Sequence, residues 1–360
     1  MITPPQPFVH EARPMRVRFG AALDAVLADE VRRAGLRRTL VVCSPGQVGL
    51  GDRAAAALGE LSAGVFAEAR VHVPAETVER AVEHAARVGA DGCVAVGGGS
   101  AVGLAKAVAL HRGLPIVAVP TTYAGSEMTP VWGITRDGLK TTGRDSRVLP
   151  TSVLYDPGLS VGLPMHVTMT SGLNAIAHAV EALYAPDANP VTSLLATEGI
   201  RAMTTSLTRI ADRPVDRDAR ATALYGSWLC GACLGATTMS LHHKLCHALG
   251  GTLDLPHAET HAVLLPHALA YNQDAAPVAR RTLAELLGST DPALALWELA
   301  RTLGAPRSLA ELGMAEADIG PVAEQVVAHP YANPAPVTPD GVDRLLRAAW
   351  SGRVPGRGGR

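Results

Sequence analysis

The chain has 360 residues, of which 48% are hydrophobic and 18% are charged, and its formal net charge is −1 at pH 7. This length suits two domains with large cores, and the balance of apolar and charged residues excludes an intrinsically disordered chain. The near-zero net charge gives no bulk attraction to nucleic acid or to an anionic membrane, so we expect neither as a partner.

Three features of the sequence bear on the compartment in which the protein is expected. Residues 1–20 contain prolines and arginines without an apolar segment, which argues against a signal peptide. No stretch reaches the roughly 18 consecutive apolar residues of a membrane span. Of the five cysteines, only Cys230 and Cys233 are close in sequence, so a disulfide framework is not expected. These features predict a cytoplasmic protein.

The first part of the chain alternates between strand and helix patterns. Apolar runs predict strands at residues 39–43, 67–73, 92–96 and 115–119. Ala- and Glu-rich segments predict helices at residues 52–60, 76–89 and 101–110. Residues 131–155 have the pattern of a β-hairpin. Such alternation predicts a parallel sheet with helical crossovers.

Two loops of this region have features of a phosphate site. Gly97, Gly98, Gly99 and Ser100 join a predicted strand to a predicted helix, where backbone N–H groups can approach a pyrophosphate. The fingerprint G-x-G-x-x-G is not met, because its third glycine falls on Val102, and a plain tight turn is the alternative.

The second loop follows the next predicted strand and carries the hydroxyl groups of Thr121, Thr122 and Ser126. Two such loops at one sheet edge favour a cofactor cleft, and Ser44, after the first predicted strand, would face the same ligand. Lys140 could add a point charge near a pyrophosphate, although a solvated basic turn is an equal alternative.

From residue 160 onward the pattern changes to long helices. They are predicted at residues 168–185, 190–211, 217–235, 238–249, 259–272, 276–287 and 293–304. The change predicts a dinucleotide-binding α/β domain over residues 1–160 and an all-helical catalytic domain over residues 161–352. Residues 353–360 are rich in Gly and Arg and are predicted to be a disordered tail.

Histidines concentrate at one place in the helical region. Residues 241–261 hold five of the 13 histidines of the chain. In a helix over residues 238–249, His243 and His247 lie one turn apart on one face, and Gly250 and Gly251 would end that helix. The turn that follows could bring His257 back beside this face.

A second pair has the same spacing. Asn174 and His178 are four residues apart in another predicted helix, so they also share a face. The four side chains Asn174, His178, His243 and His257 could line one cavity. The alternative for each histidine alone is a hydrogen-bonded core residue.

Longer motifs carry a family resemblance. They are VGGGSAVGLAKAVAL, VPTTYAGSEMTPVWGIT, TSGLNAIAHAVEALYA and LHHKLCHALGGTLDLPHAETHAVLLPHALAYN. With these motifs, essentially the whole chain resembles the iron-containing alcohol dehydrogenase superfamily, and within it the maleylacetate reductase family.

The resemblance implies a dehydroquinate synthase-like fold with a parallel-sheet α/β domain, an all-α domain and a cleft between them. It also implies NADH or NADPH as cofactor, and a homodimer. In metal-dependent relatives, the positions of Asn174, His178, His243 and His257 hold an aspartate and three histidines that bind a divalent ion. Asparagine removes the anionic ligand, so we expect no tightly bound metal.

The resemblance further implies reduction of the carbon–carbon double bond of maleylacetate, a small dicarboxylate, to 3-oxoadipate in the degradation of aromatic compounds. His243, with His178 and His257, would stabilise the enolate, and His247 or water would supply the proton. Lys244 would contact a substrate carboxylate. Replacing His243 with alanine is expected to reduce turnover by roughly tenfold or more.

Other functions remain open at this stage. One is a metal-dependent alcohol or aldehyde reductase of the same superfamily that tolerates Asn174 as a ligand. Another is a lyase like the dehydroquinate synthases, which would consume no NADH. A non-catalytic binding module is the third. The chain also has Ala335 where many relatives carry an arginine after Asn-Pro.

Overall fold

The structure is a computed structural model that describes residues 7–137, 139–328 and 331–356. The chain forms two compact units. The α/β unit comprises residues 12–163 together with residues 215–224, and the helical unit contains the other described residues. The predicted boundary at residue 160 lies beside the end of the first of these segments. A division of the chain at one residue cannot describe these units, because residues 215–224 belong to the α/β unit although they come later in the chain.

The α/β unit is built on a parallel sheet. In chain order its strands are β1 (Arg16–Phe19), β2 (Thr39–Val42), β3 (Ser62–Phe66), β4 (Gly92–Gly97), β5 (Ile116–Pro120), β6 (Val131–Arg136), β7 (Leu139–Arg144) and β8 (Ser152–Tyr155). Six of them form one sheet in the order β1-β8-β5-β4-β2-β3, with every pair parallel. β6 and β7 form a separate antiparallel hairpin.

Helices cover both faces of this sheet, because its central strands are apolar on both sides. The helices are α1 (Leu23–Arg33), α2 (Val48–Leu58), α3 (Ala75–Arg87) and α4 (Gly99–Arg112). Successive residues of β4 point to opposite faces, so Cys93 packs in the apolar cluster that includes α4, while Val94 packs in the cluster that includes α1. The predicted parallel-sheet α/β domain is confirmed.

One predicted strand is wrong. A strand was expected at residues 67–73, but β3 occupies Ser62–Phe66. The pairing with β2 aligns Thr39 with Ser62 and Val42 with Phe66, so the ladder ends where β2 ends. Beyond it, His72 and Val73 have positive φ angles of 62° and 51°, which no strand accommodates.

The helical unit follows. Its helices are α5 (Met165–Ala182), α6 (Pro190–Asp212), α7 (Arg217–Ala236), α8 (Leu241–Leu253), α9 (His257–Asn272), α10 (Pro277–Leu287), α11 (Pro292–Thr302), α12 (Ile319–Val327) and α13 (Pro339–Trp350). The first residues of α7 belong to the α/β unit. α5 packs against α6 and α9, and α8 packs against α9. The described helices are each too short or too polar to cross a bilayer.

The expected end of α8 is also wrong. Gly250 and Gly251 were predicted to stop the helix, yet it continues to Leu253 and ends at Asp254, which is in the left-handed conformation with φ 53°. Each glycine costs about 1 kcal/mol in a helix. Burial of Leu245, Leu249 and neighbouring apolar side chains in the core of the unit offsets that cost.

Little of the predicted disordered tail can be compared with the structure. Residues 353–356 have no regular secondary structure. Residues 357–360 lie outside the described residues.

Candidate active site

The sheet of the α/β unit brings the predicted cofactor loops together. Ser44, Gly97 and Thr121 lie at the carboxyl ends of β2, β4 and β5, which are neighbours in the sheet. The backbone N–H of Thr121 donates to the Gly97 carbonyl at 3.1 Å, and the Gln47 amide donates to the Thr121 hydroxyl at 3.0 Å. The strand order reverses between β2 and β4, which is where open α/β sheets bind ligands.

The glycine loop passes directly into a helix. α4 begins at Gly99, and its cap residue Gly98 has no side chain to bond the N–H groups of the first turn. The N–H of Ala101 donates to the Gly98 carbonyl at 3.1 Å. The N–H groups of Gly99 and Ser100 are therefore the ones available to an anion, as at many phosphate-binding helix N-termini. A Cβ at Gly98 would lie 2.8 Å from Cγ2 of Thr122, so a side chain would push the two loops apart.

A buried lysine on α4 fixes the second loop. Nζ of Lys106 donates to the carbonyls of Ser126, Thr129 and Val131 and to the Thr129 hydroxyl, at 2.6–2.9 Å. Burial lowers the pKa of Lys106 to about 7, and the nearby carboxylate of Glu127 opposes that shift. Ser126 thus contributes its backbone to the loop's shape. Lys106 was not among the predicted site residues.

Lys140 lies in β7, opposite Thr135 of β6. Burial lowers its pKa, and its amine has no hydrogen-bond or ion-pair partner among the described residues. Arg147, by contrast, is paired with Asp145 at 2.6 Å. β6 packs against α4, the helix that follows the glycine loop. A half-buried unpaired ammonium on this hairpin suits an anionic ligand.

The helical unit contains a chain of hydrogen-bonded side chains centred on His243. Nδ1 of His243 lies 2.7 Å from Oε2 of Glu181, and its Nε2 lies 2.8 Å from Nδ1 of His178. Burial raises the pKa of Glu181 and lowers that of His243 to about 3, so both groups favour their neutral forms. A proton can therefore pass along the chain without a stable imidazolium. Both nitrogens of His243 are used within the protein.

Glu181 also caps α8. Its carboxylate accepts the backbone N–H of Ser240 at 2.9 Å and that of His242 at 2.8 Å. Ser240, the cap residue itself, makes no side-chain cap bond. The carboxylate thus sits at the positive end of the helix dipole. Glu181 was missed by the sequence analysis, although it lies one turn beyond His178 on the same buried helix.

Two further histidines of the cluster were also missed. His242 lies with Nε2 3.1 Å from the backbone carbonyl of His261. Because a carbonyl only accepts, this nitrogen carries the proton. The ring of His261 lies 4.8 Å from that of His242 and 4.3 Å from that of His257, between centroids. The density of histidines in residues 241–261 was the available signal.

The other predicted residues lie around this centre. His257 is the first residue of α9, and its ring stacks on that of His247 with 6.5 Å between centroids. His247 is exposed, unlike the buried His243. Nζ of Lys244 lies 5.6 Å from the centroid of the Tyr331 ring. Asn174 is one turn before His178 on α5, and its buried Oδ1 has no hydrogen-bond partner among the described residues.

A metal ion does not fit these side chains as they are arranged. Nitrogen ligands of a tetrahedral ion stand about 3.4 Å apart, with lone pairs converging. His178 and His243 instead approach to 2.8 Å, so one nitrogen carries a proton toward the other. Among the described residues, one group close enough to hold an ion is His242, His243 and His261, with ligand atoms within 4.8 Å. It too would need His243 to abandon an internal hydrogen bond.

Asn333, which precedes Pro334, also contacts the first residue of α8. Asn333 and Asn272 exchange two amide hydrogen bonds of 2.7 and 2.9 Å, and the Asn333 oxygen accepts the N–H of Leu241 at 3.3 Å. Ala335 joins through its backbone carbonyl, which accepts from Asn333 at 2.8 Å. These contacts use the backbone of Ala335 and do not call for a larger side chain there.

Buried neutral histidines should make the protein sensitive to acid. Burial lowers the pKa of His267 to about 4 from 6.5, so the unfolded chain binds more protons between these values. We therefore expect its contribution to stability to be lost as pH falls through this window, at about 1.4 kcal/mol per pH unit. His267→Leu should flatten the slope by about one proton in urea titrations at pH 4–8. An unchanged slope would mean that His267 is protonated alike in both states.

Comparisons with known proteins identify the relatives of this chain. Residues 14–157 match the family described as iron-containing alcohol dehydrogenase, and residues 168–350 match the C-terminal part of the Fe-containing alcohol dehydrogenase family. A maleylacetate reductase of Burkholderia cepacia is 52% identical over 348 residues, covering 97% of this chain and 99% of the relative.

Solved structures agree with this. A maleylacetate reductase from Agrobacterium tumefaciens has a TM-score of 0.94 at 52% identity, covering 97% of this chain and 100% of that one. An iron-containing alcohol dehydrogenase from Corynebacterium glutamicum has a TM-score of 0.92 at 40% identity, with coverages of 97% and 98%.

Proposed function

The chain belongs to the iron-containing alcohol dehydrogenase family, and on that basis we propose that it reduces the carbon–carbon double bond of maleylacetate with NADH or NADPH, giving 3-oxoadipate. The observation that carries the choice of substrate is its similarity, over nearly the whole of both chains, to enzymes named for this reaction. The side chains of the helical unit supply chemistry that suits it.

The loops of the α/β unit suit the cofactor. Gly97, Gly98, Gly99 and Ser100 would hold its pyrophosphate at the start of α4. The remaining predicted contacts are Ser44, Thr121, Thr122, Ser126 and Lys140. When bound, the reduced nicotinamide supplies a hydride.

The reaction places charge on an oxygen of the substrate. Hydride adds to the alkene carbon β to the ketone, and the electron pair of the double bond moves to give an enolate. A proton then joins the α carbon, so two new C–H bonds replace one carbon–carbon π bond. Because the enolate spreads its charge, preorganised hydrogen-bond donors can stabilise it without a metal.

The proton is best supplied by the chain Glu181–His243–His178. When it carries one extra proton, Glu181 donates to Nδ1 of His243, Nε2 of His243 donates to Nδ1 of His178, and Nε2 of His178 carries the proton to be delivered. When His178 delivers this proton, its Nδ1 takes the proton from Nε2 of His243, and Nδ1 of His243 takes the proton from Glu181. Both hydrogen bonds are then reversed and Glu181 is ionised. This differs from the predicted donor role of His243, whose two nitrogens are already used within the protein. His247, exposed on α8, is the competing donor.

The substrate's carboxylates need cations. Lys244 lies in the first turn of α8, where it is half-buried next to the ring of Tyr331. We propose that it pairs with one carboxylate, which would place the dicarboxylate beside α8. His257 is the second side chain proposed to contact the substrate.

No step of this mechanism uses a metal ion, since Asn174 supplies no charge and His178 and His243 bond to each other. The second candidate function is a metal-dependent reductase of alcohols or aldehydes, favoured by the proximity of His242, His243 and His261. Loss of an essential metal would remove several kcal/mol of transition-state stabilisation.

Chelation separates these two functions. We expect protein dialysed against a chelator, and checked for residual metal, to keep its rate of maleylacetate-dependent NADH oxidation, with no gain from added Fe²⁺ or Zn²⁺. Asn174→Asp, which restores the carboxylate, is the matched variant and should retain more metal in elemental analysis than the wild type. A rate that falls at least about a hundredfold on chelation and returns with metal would establish the metal-dependent function instead.

The same assay tests the function as a whole. Absorbance should show stoichiometric oxidation of NADH or NADPH with freshly generated maleylacetate, and the ratio of the two rates would give the cofactor preference. A lyase would show no net oxidation. We also propose a homodimer, which light scattering on the purified protein would test.

A further inference from the structure

His261 has an unusual position in the cluster. It lies one turn after His257 on α9 and is 0% exposed. Besides the rings of His242 and His257, its ring centroid lies 5.0 Å from that of His243 and 6.0 Å from that of His178. Burial, followed by the neighbouring imidazoles, lowers the pKa of His261 well below its usual value. It is therefore a neutral imidazole, with one N–H donor and one bare nitrogen.

Neither ring nitrogen of His261 has a hydrogen-bond partner among the described residues. This separates it from His243, which uses both nitrogens, and from His242, whose Nε2 is held by the backbone. A buried donor and acceptor without partners cost free energy, and side chains seldom retain that cost without a ligand that pairs with them.

The position of His261 is fixed through its backbone, while the polar atoms of its ring are unpaired among the described residues. The hydrogen bond from His242 ends on the carbonyl of His261 itself, which ties α8 to α9 at this residue. The ring is thus positioned by α9 and by the hydrogen bond from His242, and its two nitrogen atoms can bind a ligand. Such preorganisation is what stabilisation of a developing charge requires.

We propose that His261 is a further catalytic residue, whose N–H donates a hydrogen bond to the ketone oxygen of the enone and to the enolate oxygen that forms from it. This rests on the proposed function. The electron pair that hydride addition pushes onto that oxygen returns when the α carbon takes its proton from His178. His261 keeps its own proton throughout, so the neutral imidazole is the competent form.

The test compares His261→Leu with His267→Leu. Both remove a buried neutral histidine from α9, and His267 has no ring contact with the cluster among the described residues. Because the His261 ring makes no hydrogen bond, leucine should leave the melting temperature at pH 8 unchanged or higher. Its kcat for maleylacetate should fall about a hundredfold, with NADH affinity unchanged. His267→Leu should keep its kcat near the wild-type value.

A conservative variant checks the donor itself. His261→Gln retains an N–H group and should recover kcat to within about tenfold of the wild type. A kcat of His261→Leu within about threefold of the wild type would overturn the proposal. So would a melting temperature far below that of His267→Leu, because it would show a structural role. Wild-type protein that does not turn over maleylacetate would instead overturn the proposed function, and this assignment with it.

Discussion

Glu181→Leu is expected to lower the free energy of unfolding by about 3–5 kcal/mol, because it removes the acceptor of three buried donors at once. These are the N–H groups of Ser240 and His242 and, when Glu181 is ionised, the Nδ1–H of His243, at 2.7–2.9 Å from the carboxylate. The start of α8 would lose its cap and an anion at its positive end. Denaturant titration at pH 8 measures the loss.

Glu181→Gln separates stability from catalysis. Its amide keeps the shape, and its single oxygen can still accept one of the two backbone N–H groups, so part of the folding free energy that Glu181→Leu loses should remain. It cannot hold the proton that passes along Glu181, His243 and His178, the proton relay, so turnover of maleylacetate should fall by about a hundredfold or more. If Glu181→Gln is as active as the wild type, Glu181 is a structural cap and the relay does not include it.

The sequence predicted the residues that share a helix face but not the pairing between helices. The i, i+4 spacing of Asn174 and His178 was enough to place both on one face of α5. Which nitrogen of His178 meets which nitrogen of His243 depends on how α5 and α8 lie together, and periodicity carries no such information. Glu181 went unnoticed for the same reason, since its partners lie on another helix.

The fold shows a similar division. The alternation of apolar runs and Ala-rich segments predicted the parallel sheet, because buried strands and crossover helices have different periods. It missed β1, whose four residues alternate Arg with Val and Phe at the sheet edge. It also misplaced the strand at residues 67–73, because the extent of β3 depends on pairing with β2. The helix continued through Gly250 and Gly251 because burial of apolar side chains elsewhere on α8 offset their low helix propensity.

The cofactor loops were predicted from local features and remain a proposal for binding. Their convergence at one sheet edge follows from strand order, which the loop sequences do not contain. Lys106, in the middle of an apolar helix, was a visible anomaly in the sequence. Its partners are carbonyls of residues 126, 129 and 131, which no side-chain pattern could indicate.

His243→Ala is expected to have the largest effect on the reaction, lowering kcat for maleylacetate by about a thousandfold while NADH affinity stays near normal. His178→Ala should cost about as much. Since the two rings act on one proton, the double variant should be little slower than either single variant, as for groups that work as a unit. Stopped-flow measurement of NADH oxidation gives the three rates.

His247→Ala is the matched control for this relay, because it removes an imidazole one turn away on α8 that is exposed and outside the Glu181–His243–His178 chain. If the chain supplies the proton, His247→Ala should remain within about fivefold of the wild type. A loss of kcat equal to that of His243→Ala would mean that His247 is the proton donor. Additive losses in the His178 and His243 double variant would mean that the two rings serve separate steps, with their 2.8 Å hydrogen bond only a means of placing them.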